Sequence, residues 1–321
     1  ISSILPIMQV IDGSPRLVMD DLDDVEITTF KEIFERTLKV LNVSMDVKFL
    51  DYCPDDNTSF ELSARNYIKR ELGEFIQSGE LKNVSVEDLE HAWEAHFLNK
   101  LNSVQIPSFD GLSLNVYYAG NRDKEMLVII PPCGMPKELY YNWIKSLSDT
   151  CFVVTWDARG LFNALECKTN FGDSIEDQMN DLFSVIQHFD DSGKVHLLGL
   201  CGGVVIALKA VSSENKERIA SLSLWHGDLD FGNSSMRTLH QKNTYSLMKM
   251  GSSSLSEADM MHKQLMQKPS VLKSLPPSSA HLVIYPYTNV DLFYNYCRLN
   301  KVLMETNSEA FLNEIQIPVL V

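Results

Sequence analysis

Two textures of apolar and polar positions run along the chain. Over the first hundred residues, apolar side chains recur at helical spacing. "TTFKEIFERTLKVL" sets Phe30, Ile33, Phe34, Thr37 and Leu41 on one face, with Thr29 and Glu32 spaced as a capping box at its start. "SVEDLEHAWEAHFL" repeats the device with Ser85 and Asp88, and 59–77 reads as a helix between the two. Near residue 104 the texture changes. "VQIPSFDGLSLNVYYAG" alternates and turns at Asp110-Gly111, as a β-hairpin does. Four short, continuous apolar runs follow: "MLVIIP" (126–131), "FVVTW" (152–156), "VHLLGL" (195–200) and "IASLSLW" (219–225). Continuous runs of this length mark strands buried on both faces.

Helical patterns separate these runs. One covers 137–148. The next, "SIEDQMNDLFSVIQHF", puts Ile175, Met179, Leu182, Phe183 and Ile186 on one face, and "GVVIALKAV" follows the third run. Strand–helix alternation predicts an α/β fold with a mostly parallel sheet flanked by helices. In such a sheet, chemistry sits at the carboxyl ends of the strands. Residues 231–311 interrupt the alternation before "IQIPVLV" resumes it. They carry Met236, Met248, Met250, Met260, Met261 and Met266 and read as a helical lid. Methionine is flexible, so such a lid either adapts to an apolar ligand or fills gaps in a helical core. The predicted organisation is a mainly helical N-terminal segment, 1–103, followed by an α/β domain, 104–321, with the lid at about 231–311. The N-terminal segment is expected to cover the α/β domain or to dock a protein partner. The chain opens on "ISSILPIM" without an initiator Met and stops inside a strand-like run. The end of the fold is therefore expected to lie beyond Val321, in a longer protein.

Composition narrows the partners. Net charge is −15, and the first hundred residues hold 20 acidic against 10 basic side chains. With no basic stripe, nucleic acid and anionic membrane surfaces are not expected partners. No apolar run reaches membrane-span length, and no signal peptide is visible. The six cysteines form no C-x-x-C pair, and no histidine pair has zinc spacing. Scattered single cysteines fit a reducing, cytoplasmic compartment, and neither a metal nor another cofactor is implied.

The chemistry centres on "GLCGG", Gly199 to Gly203, between the third run and its helix. A residue at a tight strand-to-helix turn is held in a strained backbone conformation, and small neighbours let the two backbones approach. The helix N-terminus adds N–H groups and a positive dipole end, which favour thiolate. Cys201 is thus a candidate nucleophile; the alternative is an inert thiol in a protein that retains the turn.

This G-x-[nucleophile]-x-G turn, in its strand–helix setting, resembles the α/β-hydrolase superfamily over about residues 104–321. The resemblance implies an α/β-hydrolase-like sheet. It also implies an oxyanion hole built from backbone N–H groups of Gly202 and of Gly134 and Met135 in "PCGMP". Cys133 in that loop is expected to line the pocket. "WDARG" (156–160) is similar to the family's D-x-R-G segment, although the glycine and serine that usually continue it are absent from "LFNAL".

A triad needs an acid and a histidine. The strand "IASLSLW" runs into "HGDLD", which offers His226, Asp228 and Asp230. Asp228 stands 27 residues after Cys201 (228 − 201). That is the placement common in assembly-line thioesterases, so Asp228 is the candidate acid and Asp230 the second. The family's histidine follows the last strand of the sheet and is expected beyond Val321. His226 can line the pocket, but two residues before the acid is an unusual place for the base. His188 and His196 read as structural, and His240, His262 and His281 belong to the lid region.

Cysteine at this elbow favours acyl transfer through a thioester. Polyhydroxyalkanoate synthases, with a similar elbow, bile-acid-type N-acyltransferases and some assembly-line thioesterases use it. The resemblance therefore implies an acyltransferase or thioesterase acting on an acyl thioester or ester, free or carrier-bound. The rival expectation is a non-catalytic protein of the same fold that binds a ligand or partner.

Overall fold

A computed structural model of the chain describes residues 4–11, 14–78, 83–162, 171–190, 193–227, 229–232, 237–266 and 275–321. The chain divides into two compact units: Ile1–Lys100 with Met261–Asn289, and Leu101–Met260 with Val290–Val321.

The first unit holds helices α1 (Leu5–Met8), α2 (Asp24–Val40), α3 (Ser59–Ser78) and α4 (Val86–Ala95), with two short parallel strands, β1 (Arg16–Val18) and β2 (Lys48–Leu50). α2 starts five residues before the Thr29 expected to cap it. Asp23 is the N-cap, in a reciprocal capping box with Glu26. Aspartate there also meets the positive end of the helix dipole. Thr29 instead spends its hydroxyl inside the helix, on the carbonyl of Val25. The expected capping box of Ser85 and Asp88 does open α4. Phe30 and Phe34 of α2 pack edge-on against Phe49 of β2 and form the local core.

The second unit is built on a seven-stranded sheet of β3 (Asn102–Pro107), β4 (Ser113–Ala119), β5 (Met126–Ile130), β6 (Phe152–Trp156), β7 (Val195–Leu200), β8 (Ile219–Trp225) and β9 (Val319–Leu320). The spatial order is β3-β4-β6-β5-β7-β8-β9. β3 and β4 form the expected hairpin, and β4 pairs antiparallel with β6. All later pairings are parallel. Every residue of β5 and β6 is buried, as continuous apolar runs require. Helices α5 (Tyr141–Ser148), α6 (Ile175–Phe189) and α7 (Gly203–Ala210) follow β5, β6 and β7.

Between β8 and β9 the chain is helical, with α8 (Leu239–Gly251), α9 (Leu255–Met266), α10 (Pro277–Val283), α11 (Val290–Glu305) and α12 (Glu309–Leu312). The insertion does not stay in one body, because Met261–Asn289, with α10, clusters with the first unit. Within the second unit α8 and α11 pack together, and Gly251 lies so close to Cys297 that a side chain there would strike its sulfur. No described helix is long and apolar enough to cross a membrane.

Candidate active site

Four strand ends lie side by side in the order β6, β5, β7, β8. Each runs directly into a segment singled out by the sequence. After β6 comes Asp157, after β5 the loop 131–136, after β7 Cys201 and after β8 His226.

The elbow is built from close backbone approaches. A Cβ on Gly199 would stand 2.8 Å from the carbonyl oxygen of Gly203 and 2.8 Å from Cα of Val204. A Cβ on Gly203 would collide with the carbonyl of Ile130 and lie 3.0 Å from that of Pro131. The first glycine lets α7 fold back against β7; the second lets its N-terminus seat on the end of β5. Cys201, between them, is exposed and has φ +51°. A non-glycine residue in that region is strained by about 1–2 kcal/mol and persists only where its surroundings hold it. What holds it here is the sheet, since the Cys201 N–H donates to the carbonyl of Trp225 at 2.9 Å. His226, the first residue after β8, has φ +54°, so two strained residues stand at neighbouring strand ends.

Among the described residues, the N–H of Gly202 has no acceptor. The same holds for Gly134, whose φ of +74° shapes the loop after β5. Met135 differs: its N–H donates to the carbonyl of Pro132 at 3.2 Å and closes the loop's own turn. Cys133 is buried. Burial, followed by the neighbouring Cys201 and Cys297, pushes its thiol well above the usual range. It is thus held neutral, and buried Cys297 is likewise pushed up, to about 12, by burial.

Beyond β8, Asp228 lies outside the described residues. Asp230 accepts from the Arg237 guanidinium at 2.8 Å, and that arginine also donates to the carbonyl of Met304 at the end of α11. His226 is exposed, 6.5 Å ring to ring from Trp225, which in turn meets Trp143 edge-on at 5.1 Å. Among the described residues, no cluster of histidine, cysteine and carboxylate groups is placed to hold a metal ion.

Two features escaped the sequence reading. The first is α11, which passes over the elbow: Leu303 Cδ1 would be 2.7 Å, and Asn300 Oδ1 3.9 Å, from a Cβ on Gly202. The second is a buried polar cluster behind the loop 131–136. Tyr117 donates to Asp157 at 2.9 Å and Asn115 does so at 3.4 Å. Lys137 pairs with Glu138 at 2.9 Å and lies 4.4 Å from the centre of the Tyr117 ring. Burial works against the Lys137 charge, but Glu138 and Asp157 outweigh it and hold the ammonium above its ordinary pKa. One oxygen of buried Glu138 accepts from nothing among the described residues. The alternation of "LNVYY" puts Asn115 and Tyr117 on one face of β4, a polar pair facing inward that was the available signal.

No protein-family model matches the chain. No curated protein matches it significantly. Solved structures do. The epoxide hydrolase CorEH, without ligand, aligns at 17% identity and TM-score 0.52 over 68% of this chain and 80% of its own. A membrane phospholipase A, a bacterial virulence factor, aligns at 15% identity and TM-score 0.51 over 78% of this chain and 76% of its own. With its mostly parallel sheet, its flanking helices, the elbow after β7 and these alignments, the chain has the α/β-hydrolase fold.

Proposed function

We propose that the second unit catalyses Cys-dependent acyl transfer, or thioester or ester hydrolysis, through an acyl-Cys201 intermediate. The observation that carries this reading is the φ of +51° at Cys201, an exposed thiol held under strain at the carboxyl edge of the sheet. Strain of this kind is concentrated at functional sites. In the first step the Cys201 thiolate adds to the acyl carbonyl. The tetrahedral adduct then collapses, expelling the leaving thiolate or alkoxide and leaving the acyl group on sulfur. In the second step water, an amine or an alcohol attacks that thioester, and the sulfur departs as thiolate. Thiols are a few per cent ionised near neutral pH, so attack demands less of a base than a serine would.

Gly202 and Gly134 supply the N–H groups for the oxyanion in this scheme. Met135 contributes by shaping the loop, with its own N–H engaged. Asp228 is the proposed acid. Asp230 is the weaker choice, because Arg237 already neutralises it. Cys133, Trp225 and His226 line the approach. The fold neighbours are hydrolytic enzymes by name, which agrees with ester or thioester chemistry here. The rival reading, a ligand-binding protein without catalysis, draws on the same Asp230–Arg237 pair, which removes one of the two acids after β8.

Intact-protein mass spectrometry with a panel of acyl thioesters and activated esters tests the proposal. Wild type gains one acyl mass, and Cys201→Ala gains none and loses turnover. Equal turnover by Cys201→Ala overturns it.

A further inference from the structure

One face of α11 bears on the elbow. Cys297, Asn300, Leu303 and Met304 follow one another at spacings of three, three and one, which places them together on a helix. Three of the four are buried and apolar in character: Cys297, Leu303 and Met304. Asn300 breaks the pattern. It is half-buried, and its amide makes no hydrogen bond among the described residues. Asn295 of the same helix differs: it is fully buried and donates its amide N–H to the carbonyl of Gly160 at 2.7 Å, while its Oδ1 has no partner among the described residues. Neither amide atom of Asn300 is fully buried, so the group stays accessible to a partner that enters the site.

The position of Asn300 gives the amide a use. Its Oδ1 stands 3.9 Å from where a Cβ on Gly202 would be. A residue's nitrogen and its Cβ are only about 2.5 Å apart. The Asn300 Oδ1 is therefore at most about 6.4 Å from the Gly202 nitrogen, a span that one oxygen at hydrogen-bond distance from both groups can fill. Rotation about the last side-chain bond exchanges the carbonyl and NH₂ ends, so the end presented follows the group it meets. Leu303, one turn on, touches Gly202 itself and keeps the helix seated at this distance.

We propose that Asn300 is a further catalytic residue, whose side-chain NH₂ donates to the acyl oxygen held at Gly202 as negative charge develops on it. This rests on the acyl-Cys201 reading above. It adds a donor from the helical insertion to the two backbone donors of the sheet, so the insertion takes part in the chemistry.

The test uses the full chain with an activated p-nitrophenyl ester and an acyl thioester as donors, comparing wild type, Cys201→Ala, Asn300→Ala and Asn300→Asp. Loss of one oxyanion donor lowers kcat by about 10²–10³. Asn300→Ala is expected to lose kcat on that scale, with KM changed less than about threefold, because the contact strengthens only in the transition state. In Asn300→Asp a carboxylate faces the developing oxyanion, and activity is expected to recover as pH falls and the carboxyl becomes a donor. A purely structural role predicts no such inversion of the pH profile. If Cys201→Ala is inactive while Asn300→Ala keeps kcat within twofold and Asn300→Asp shows no acid recovery, this inference alone is overturned. If no donor acylates the wild type, or Cys201→Ala turns over as wild type does, the acyl-Cys201 reading fails and the inference falls with it.

Discussion

Replacing Asp157 by asparagine should make the fold more stable at neutral pH, and the gain can be worked from its surroundings. Burial pushes the Asp157 carboxyl up to about 6 from 3.8; Lys137 and the Tyr117 hydroxyl pull it back, and Glu138 adds to the rise. A folded pKa above the unfolded one means that the native state binds the proton more tightly. The stabilisation is complete below the unfolded value and is lost as pH rises through the folded one. Above about pH 6 the ionised group costs the native state about 3 kcal/mol, from 2.2 pH units at about 1.4 kcal/mol each. Asparagine cannot ionise, yet it retains an oxygen to accept from Tyr117. Urea denaturation of wild type and Asp157→Asn at about pH 4.5 and about pH 8 isolates the titration, since any fixed effect of the substitution cancels. The stability difference should move in favour of the variant by about 2 kcal/mol across that interval. A difference that is flat, or that moves the other way, would refute the reasoning and mean that Lys137 fully compensates the buried charge.

Gly199→Ala should damage both fold and site. The new methyl meets only backbone, at Gly203 and Val204, and overpacking of this kind costs about 1–3 kcal/mol or more. Thermal unfolding would show the loss, and the rate of Cys201 alkylation should change with it; an unchanged melting temperature would contradict the close approach. Arg159→Ala should be more severe. The guanidinium binds Asp181 through two bonds of 2.7 Å and also reaches Asp110 and the carbonyl of Gly172. Leaving a buried carboxylate without its partner costs about 3–5 kcal/mol, readable by urea denaturation, and a loss under about 1 kcal/mol would contradict this account.

The sheet was legible because each strand is a local statement. "FVVTW", "VHLLGL" and "IASLSLW" coincide with β6, β7 and β8, and Asp110-Gly111 turns the hairpin. Local signals also mislead when two compete. Thr29 and Glu32 have capping-box spacing, yet Asp23 and Glu26 have it too and begin the helix earlier. The site was legible only where it follows a strand. Cys201, the loop at Gly134 and His226 were placed by counting from apolar runs. Asn300 is 98 residues from Gly202 (300 − 202), and the Asp157 cluster draws on β4, β6 and the turn after 136. No window of sequence holds those partners together. Asp230 was offered as an acid because it follows β8; its arginine, seven residues later, lies past that window of reading.

The glycines flanking Cys201 bear on how such proteins are recognised. Gly199 is set by its distance to a helix and Gly203 by its distance to a neighbouring strand, and neither touches the thiol's chemistry. The spelling G-x-C-x-G thus records two clearances between main chains. It would read the same around a serine, or around a residue that reacts with nothing. The architecture is written in the letters on either side; the proposed reactivity rests on a single atom, the Sγ between them.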